Sequence, residues 1–339
     1  MKNKKIVIAV LVLAVVGGMI GAFWLKNRQL QAQPITSAQQ TRFLMDTSVE
    51  IRASGPDAEA AVSAAFAEMA RVEQLFSRHI ETSDIARINN ADGIWVEVAP
   101  EVISLLEKAI HYSNLSGGSF DITIGALLDL WNFGGGNNRV PAPAEINQAL
   151  ALIDYTVLEI DSNTSQVRIP KGMVLDLGGI AKGYAVDRAS AVLKQTGVIS
   201  GMIYAGGDIT TIGAKSDGSP WRVGVQHPRI STQLIGILEM ADSSIVTSGD
   251  YERYFTADGV RYHHILNPHT GYPAQGLISV TIYGSNAADA DALSTAIFVL
   301  GWERGQDLIE NLPGYEAVMM DSSGNIWVSS GLKDKIQLL

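Results

Sequence analysis

The stretch Leu175-Asp176-Leu177-Gly178-Gly179-Ile180-Ala181-Lys182-Gly183-Tyr184 joins an apolar segment to an amphipathic one. The apolar run 173–177 predicts a buried strand, and small and apolar residues then recur at helical spacing until Gly197. The paired glycines therefore lie at a helix N-terminus. Without a Cβ they let a ligand approach the backbone, and the free N–H groups there favour phosphate. Lys182 adds a positive charge at the same place.

This junction is not specific when taken alone. It is neither a P-loop, which needs GxxxxGK[ST], nor the GxGxxG fingerprint of dinucleotide-binding folds. An ordinary strand-to-helix turn with a packing glycine explains the segment equally well. Other parts of the chain must decide between the two interpretations.

The segment 248–273, SGDYERYFTADGVRYHHILNPHTGYP, predicts two strands joined by a hairpin turn at 256–259. It holds His263, His264 and His269 in a chain with only six histidines. The HHxxxxH spacing does not match a zinc site, and alternation along a strand turns His263 and His264 to opposite faces. We expect one of these two to face a site and the other to face solvent.

Residues 285–301 predict a helix that begins at a Ser-Asn pair and stops at Gly301. Asp291 and Thr295 are four residues apart, so a carboxylate and a hydroxyl project from one face, with Ser294 beside them. Hard oxygen ligands of this kind suit Mg²⁺ or Ca²⁺. The alternative is an aspartate that serves the helix dipole and a threonine bonded back to the preceding turn.

Five short segments follow one another along the chain: Gly118-Ser119-Phe120-Asp121-Ile122-Thr123, LDLGGIAKGYAVD, Ala205-Gly206-Gly207-Asp208-Ile209, HHILNPHTGYP and DALST. In order and spacing they resemble the ApbE family, the FAD:protein FMN transferases. The resemblance extends from about Phe43 to the C-terminus. It implies a secreted or periplasmic, Mg²⁺-dependent enzyme that binds FAD and transfers the FMN half to a Ser or Thr hydroxyl of another protein, releasing AMP.

The resemblance also implies a metal site. Mg²⁺ is expected on Asp291, Thr295 and the backbone carbonyl of Gly179, where a glycine lets the main chain come near. Other members often carry a second aspartate where this chain has Ser294. We therefore include Ser294 as a candidate ligand, and we expect water or substrate phosphate to complete the shell.

For FAD the resemblance implies a wider set of residues. Asp176 and Lys182 are expected to contact FAD, and Leu266 is expected to meet the nucleotide through its backbone. The remaining candidates line the flavin or adenosine pocket or close over it, with a histidine where the family usually has tyrosine: Met45, His79, Ser119, Phe120 and Asp121.

Catalysis is assigned to two residues, Asp291 through the metal and His264 as a general base or as a donor to the phosphate. An imidazole titrates near neutrality, and His264 precedes a rigid Asn-Pro loop. The alternative for His264 is a structural histidine bonded to a backbone carbonyl.

Composition limits the other possibilities. The chain has 339 residues, 47% of them hydrophobic and 18% charged, so it can bury one large core or two smaller ones. Its net charge is -10 and no basic cluster is interleaved with aromatic residues, which excludes nucleic acid as an expected partner. The absence of cysteine removes disulfides, thiolate ligands and thiol nucleophiles.

The N-terminus predicts a membrane segment. Lysines precede residues 6–25, which are roughly twenty mostly apolar residues and therefore long enough to span a bilayer. We expect residues 1–25 to anchor the protein in a bacterial inner membrane, with the catalytic domain facing the periplasm or cell exterior. Cleavage of a signal segment near Ala32 is the alternative. After the membrane segment we expect a linker at residues 26–41 and the FAD-binding transferase domain at residues 42–339.

The rest of the chain predicts an α+β fold with largely antiparallel sheets and packed helices, because hairpins dominate the second half. Predicted elements include a strand at 43–53, helices at 56–76 and 100–115, and a hairpin at 155–170. Three functions compete: FMN transfer to acceptor flavoproteins such as membrane redox subunits, hydrolysis of FAD to FMN and AMP, and flavin binding without catalysis at a membrane.

Overall fold

The computed structural model describes residues 34–136 and 138–339. The helices are α1 (Ala58–Phe76), α2 (Asp84–Asn89), α3 (Pro100–Leu115), α4 (Gly125–Trp131), α5 (Pro143–Leu150), α6 (Ala181–Gln195), α7 (Ala287–Leu300) and α8 (Trp302–Glu310). The strands are β1 (Ile35–Leu44), β2 (Thr47–Pro56), β3 (Val96–Glu97), β4 (Glu159–Asp161), β5 (Gln166–Arg168), β6 (Ser200–Ala205), β7 (Asp208–Ile212), β8 (Trp221–Gln226), β9 (Leu234–Met240), β10 (Ser244–Gly249), β11 (Tyr254–Ala257), β12 (Val260–His263), β13 (Leu277–Gly284), β14 (Glu316–Asp321), β15 (Ile326–Val328) and β16 (Ile336–Leu338).

One eight-stranded sheet, in the order β1-β2-β6-β7-β10-β13-β14-β15, organises the chain, and its neighbouring strands are antiparallel. Helices α1, α6 and α7 bury their apolar sides against one face of this sheet. A three-stranded sheet of β16, β9 and β8 packs on the opposite face around residues such as Leu238 and Val318. The predicted α+β fold with antiparallel sheets is confirmed.

The first hairpin differs from the prediction. Its two-residue turn holds Met45 and Asp46 with φ of 52° and 57°, the signature of a type I′ turn. The predicted strand 43–53 is therefore the middle of a hairpin. The predicted linker 26–41 was wrong at its end, because Ile35–Leu44 is an edge strand whose polar side chains belong to a sheet. The predicted anchor and the start of the linker lie outside the described residues.

Among residues 34–136 and 138–339, no helix combines the length and apolar character needed to cross a membrane. Several predicted elements are confirmed at or near their expected bounds: α3, the β4–β5 hairpin, the β11–β12 hairpin with its turn at 258–259, and α7. In α7 the side chain of Asn286 accepts the N–H of Asp289 at 3.0 Å, and Gly301 ends the helix with a φ of 83°.

The predicted strand 173–177 is wrong. The segment is extended and buried, but its only ladder contact within the described residues is an isolated bridge between Val174 and Ile124. Asn89 takes the place of a neighbouring strand, because its side-chain amide donates to the C=O of Leu175 at 3.0 Å and accepts the N–H of Leu175 at 2.7 Å. A side chain distant in sequence thus satisfies the backbone there.

Helices α6 and α7 run antiparallel and meet at Gly183. A Cβ on Gly183 would overlap the carbonyl oxygen of Ala287 and lie 2.8 Å from the Cα of Ala288. Each helix also caps the other. Asp187 of α6 accepts the N–H groups of Ala287 and Ala288 at 2.8 and 2.9 Å, and Asp291 of α7 accepts the N–H of Gly183 at 3.0 Å. Both exchanges satisfy N–H groups that a helix leaves free in its first turn.

We expect Gly183→Ala to destabilise the fold by about 1–3 kcal/mol, because the new methyl group meets backbone atoms that cannot rotate away. The matched control is Gly305→Ala in α8, whose methyl group would meet side-chain atoms at close range, Cγ2 of Ile297 at 2.8 Å and the flexible end of Met319 at 3.1 Å. Urea unfolding should place Gly183→Ala well below the control. Equal stability of Gly183→Ala and the parent would contradict this account of the contact.

Candidate functional site

The glycine loop, the loop 118–123 and helix α7 converge at Gly179. A Cβ on Gly179 would lie 3.0 Å from Cε2 of Phe120 and 3.4 Å from the hydroxyl oxygen of Thr295. The Phe120 ring leaves little room for a side chain at Gly179, whereas the Thr295 hydroxyl lies at an ordinary van der Waals distance from that position. The structure thus brings together segments that lie far apart in sequence.

Asp291 is buried, with 5% of its surface exposed, and one of its carboxylate oxygens accepts the N–H of Gly183. Burial raises the pKa of this carboxyl, and the nearby Lys182 ammonium acts in the opposite direction. Among the described residues, the Oδ1 atom of Asp291 has no hydrogen-bond donor. One oxygen therefore supports the fold while the other is available to a ligand.

Contacts between hydroxyl groups lead from Ser294 through Ser248 to Thr295. The fully buried Ser294 donates to the C=O of Asp291 at 2.9 Å and lies 2.8 Å from the hydroxyl of Ser248. The Ser248 hydroxyl is also 3.4 Å from that of Thr295. The sequence analysis had not singled out Ser248, whose only signal was its place at the start of the histidine segment. The Ser294 hydroxyl is held by protein partners, and its role as a ligand stays a prediction.

These oxygens fit a hard divalent cation. The free oxygen of Asp291, the hydroxyl of Thr295 and the adjacent backbone of Gly179 are the donor types that Mg²⁺ accepts. Within the part of the chain that the structure describes, no group of three or more His, Cys, Asp or Glu side chains could hold a metal. A cation here would have a single protein carboxylate, so substrate phosphate and water would have to complete its shell.

Lys182 lies in the first turn of α6 and forms a salt bridge with Asp208 at the start of β7. Asp208 is buried and also accepts the N–H of Thr247 at 3.0 Å. Asp208 lies in the segment Ala205-Gly206-Gly207-Asp208-Ile209, and no local pattern there predicts a role for its carboxylate. It holds the Lys182 ammonium beside the site, while direct contact of Lys182 with FAD stays a prediction.

Asp176 organises the glycine loop. One of its oxygens accepts the N–H of Gly178 at 2.8 Å, and the other lies 2.8 Å from Nε of Arg78. Arg78 also pairs with Asp129 of α4, with Nη2 and Oδ1 2.5 Å apart. The neighbouring His79 is exposed in the turn after α1. Arg78, which the sequence analysis missed, thus ties the His79 turn to the glycine loop; contacts of Asp176 and His79 with FAD stay predictions.

The loop 118–123 is shaped by its own aspartate. Asp121 accepts the backbone N–H of Thr123 at 2.8 Å, the hydroxyl of Thr123 at 2.7 Å and the N–H of Tyr155 at 3.3 Å. Burial raises the pKa of the Asp121 carboxyl, with these hydrogen bonds opposing the shift. Ser119 and Phe120 are buried beside it, and the Phe120 ring faces Gly179. Their place in a flavin or adenosine pocket stays a prediction.

The two adjacent histidines have different surroundings. His263 is buried, its Nε2 donates to the C=O of Ala274 at 2.9 Å, and its Nδ1 accepts the N–H of Ile265 at 3.3 Å. His264 is half-buried and has Nδ1 3.3 Å from the C=O of Arg253. A carbonyl only accepts, so Nδ1 of His264 carries the proton and Nε2 is the bare nitrogen.

Charge and burial keep His264 neutral. Burial, together with the positive charges of Arg253 and Lys182, lowers the pKa of His264 to about 4. Both nitrogens of His263 have protein partners, whereas within the described residues Nε2 of His264 has none. At neutral pH His264 is therefore unprotonated, and its free Nε2 can act as an acceptor toward a bound hydroxyl group.

Two further predicted residues contact the surroundings through their backbone. Leu266 opposes Pro273 in an isolated bridge flanked by the hydrogen bonds of Asn267 and Ala274. In such a pair the N–H and C=O of Leu266 point away from the opposite strand, as contact with a nucleotide would require. Met45 lies in the type I′ turn, where its N–H donates to Glu73 of α1 at 2.8 Å.

Comparison with known proteins identifies the family of the chain. The sequence model of the ApbE family matches residues 45–319. A Treponema pallidum protein named FAD:protein FMN transferase is 34% identical over 310 residues, covering 86% of each chain, and a Klebsiella pneumoniae protein of the same name is 37% identical over 276 residues, covering 80% of this chain and 85% of its own.

Solved structures extend the similarity to the fold. The crystal structure of an ApbE protein from Thermotoga maritima has a TM-score of 0.83 at 39% identity, covering 88% of this chain and 99% of its own. The flavin transferase ApbE from Vibrio cholerae has a TM-score of 0.80 at 30% identity, covering 89% of this chain and 100% of its own. With a family match over most of its length and relatives of this similarity, the chain belongs to the ApbE family.

Proposed function

We propose that this protein transfers FMN from FAD to a Ser or Thr hydroxyl of an acceptor flavoprotein and releases AMP. The observation that carries the proposal is the meeting of the Gly179 backbone, the Thr295 hydroxyl and the Asp291 carboxylate at the N-terminus of α6. A helix N-terminus favours phosphate, and the oxygens beside it suit Mg²⁺. The relatives named FAD:protein FMN transferase support the same assignment.

The reaction balances as a substitution at phosphorus. The acceptor oxygen forms a new bond to the FMN phosphorus, the pyrophosphate bond breaks with AMP leaving, and the hydroxyl proton passes to a base. Alignment of the two oxygens and neutralisation of phosphate charge account for most catalysis of this kind. When bound, Mg²⁺ would supply the neutralising charge.

Side chains of the protein would hold the cation, contact the phosphates and accept the proton. Asp291 and Thr295 would hold the cation, with Ser294 and Ser248 fixing the hydroxyl of Thr295 from behind. Lys182, held by Asp208, would face the phosphates. The bare Nε2 of His264 would take the proton from the acceptor hydroxyl. An acceptor in a membrane redox complex and a periplasmic position of the domain stay predictions from the sequence.

The direct test uses the full chain in detergent with FAD, Mg²⁺ and, as acceptor, the protein that the Vibrio cholerae flavin transferase modifies. Transfer predicts a fluorescent acceptor band that survives denaturation, together with one AMP for each flavin bound. Release of FMN and AMP with no labelled acceptor would instead identify an FAD pyrophosphatase. Unchanged FAD would leave flavin binding as the function and overturn the proposal.

We expect Asp291→Asn to lower transfer by about 100-fold or more at limiting Mg²⁺, with partial recovery at high Mg²⁺, because the single charged ligand is lost. Asp187→Asn is the matched control, since Asp187 is the reciprocal carboxylate, half-buried, that caps α7. Both substitutions replace a carboxylate that accepts N–H groups at a helix start with a neutral amide, but only Asp291→Asn should shift the Mg²⁺ dependence. Equal shifts in the two variants would show that Asp291 acts only through the fold.

The lowered pKa of His264 predicts an unusual pH profile. With a pKa of about 4 the imidazole stays unprotonated at pH 5, so the transfer rate at saturating Mg²⁺ should hold between pH 7 and pH 5 and fall only as the pH approaches 4. With an ordinary imidazole of pKa near 6.5, the transfer rate would fall roughly 25-fold over that range.

Substitution tests the same residue. His264→Gln should lower the rate by about 100-fold or more, as loss of a general base does. His269→Gln, in an exposed histidine of the same loop, is the control and should retain the parent rate. A rate for His264→Gln within a few fold of the parent would remove His264 from the reaction.

A further inference from the structure

Among residues 34–136 and 138–339, strand β1 is an edge strand of the main sheet with one side unpaired. It stands at the end of the strand order and pairs only with β2 in that order, over ten residues and without a bulge. Along β1 the N–H and C=O groups of successive residues point alternately toward β2 and away from it, and the hairpin register shows which residues do which. The carbonyl groups of Ser48 and Ser54 in β2 accept hydrogen bonds from the β6 side, so the even-numbered residues of β2 face β6 and its odd-numbered residues bond to β1.

This register leaves one set of β1 backbone groups without a partner among residues 34–136 and 138–339. Their N–H and C=O groups point outward from the sheet, and their side chains are exposed: Ile35, Ser37, Gln39, Thr41 and Phe43. The alternate residues turn their side chains toward α1, as the Arg42 guanidinium does 4.5 Å from the Phe66 ring.

Proteins usually protect such an edge. Proline, lysine, a bulge or a very short strand prevents another chain from adding to the sheet. The β1 sequence ITSAQQTRFL has none of these devices, and its one charge, Arg42, is turned toward α1. Phe43 adds an apolar ring that is 74% exposed at the end of the edge. An unprotected edge of this length is a template for an added strand.

The edge leads directly to the candidate site. Beyond Leu44 the chain turns at Met45, whose N–H bonds to Glu73, and α1 then continues to Phe76, whose ring packs 5.6 Å from that of Tyr184 in the first turn of α6. On the other side of the turn, a Cβ on Gly206 would overlap the Thr47 side chain.

Gly206 in turn lies two residues before Asp208, the partner of Lys182. A strand bound along β1 would therefore leave the edge at the rim of the site. The sequence model of the family begins at Met45, so β1 precedes the part of the chain that it matches.

We propose that the edge of β1, residues 35–43, binds the acceptor protein by adding an extended segment of it to the sheet, which presents the Ser or Thr hydroxyl beyond the Met45 turn. This inference rests on the proposed transfer function. Hydrogen bonds to the main chain suit a substrate recognised as an extended segment, since they do not depend on its side chains. A second copy of this chain is the weaker occupant, because both copies would carry a net charge of -10.

The test compares Thr41→Pro with Thr41→Ala in the full chain, using the acceptor of the Vibrio cholerae flavin transferase. Both substitutions remove the same side chain, but only proline also removes the outward N–H, and an edge position tolerates it. Thr41→Pro should raise the KM for the acceptor by about tenfold or more, with the KM for FAD and the melting temperature unchanged. Thr41→Ala should match the parent. Equal acceptor KM values in the two folded variants would overturn the docking proposal.

Hydrogen exchange of the parent protein gives a measurement that does not depend on any variant. The amides of residues 35–43 that point outward should exchange rapidly in the free enzyme and slow by about tenfold or more with saturating acceptor. Protection already present without acceptor, or a dimer that Thr41→Pro dissociates, would assign the edge to another occupant. If the parent fails to label the acceptor at all, the transfer function fails, whereas normal labelling without protection refutes only the docking.

Discussion

The contact between α6 and α7 at Gly183 is the constraint on which the site depends. Because Gly183 has no side chain, the first turn of one helix lies directly against the first turn of the other. The exchange of Asp187 and Asp291 then satisfies N–H groups of both helices with carboxylates that are otherwise costly to bury. The interaction that joins the two helices is also the one that orients Asp291.

Several supports converge on the glycine loop from different directions. Asn89 holds the extended segment before the loop, Asp176 and Arg78 fix the loop itself, and Thr295 and Phe120 close on Gly179 from opposite elements. The hydroxyl groups of Ser248 and Ser294 connect the site to β10 and the sheet beneath. If this loop binds phosphate as proposed, it would need little rearrangement when substrate arrives, which favours catalysis by alignment.

Sequence reasoning succeeded where a local signal was sufficient. The caps and glycine stop of α7, the bounds of α3 and the β11–β12 turn follow from nearest-neighbour chemistry, and the structure has them as expected. It failed at 173–177 and at the end of the linker. At 173–177 the side chain of Asn89, which is distant in sequence, decides the backbone conformation, and at the linker the pairing with β2 across the Met45-Asp46 turn decides it. The residues of the two segments alone do not predict either partner.

The sequence by itself determined the residue types of the site: a glycine pair before a helix, an Asp and a Thr one turn apart, and a histidine before a rigid loop. Local spacing specifies these because helix and turn geometry act over a few residues. Only the tertiary structure decided how they combine. It showed that Asp208 holds Lys182, that Arg78 holds Asp176, and that His264 rather than His263 has a bare nitrogen. Those pairings depend on which elements pack together, and packing joins residues whose separation in sequence carries no information about their distance in space.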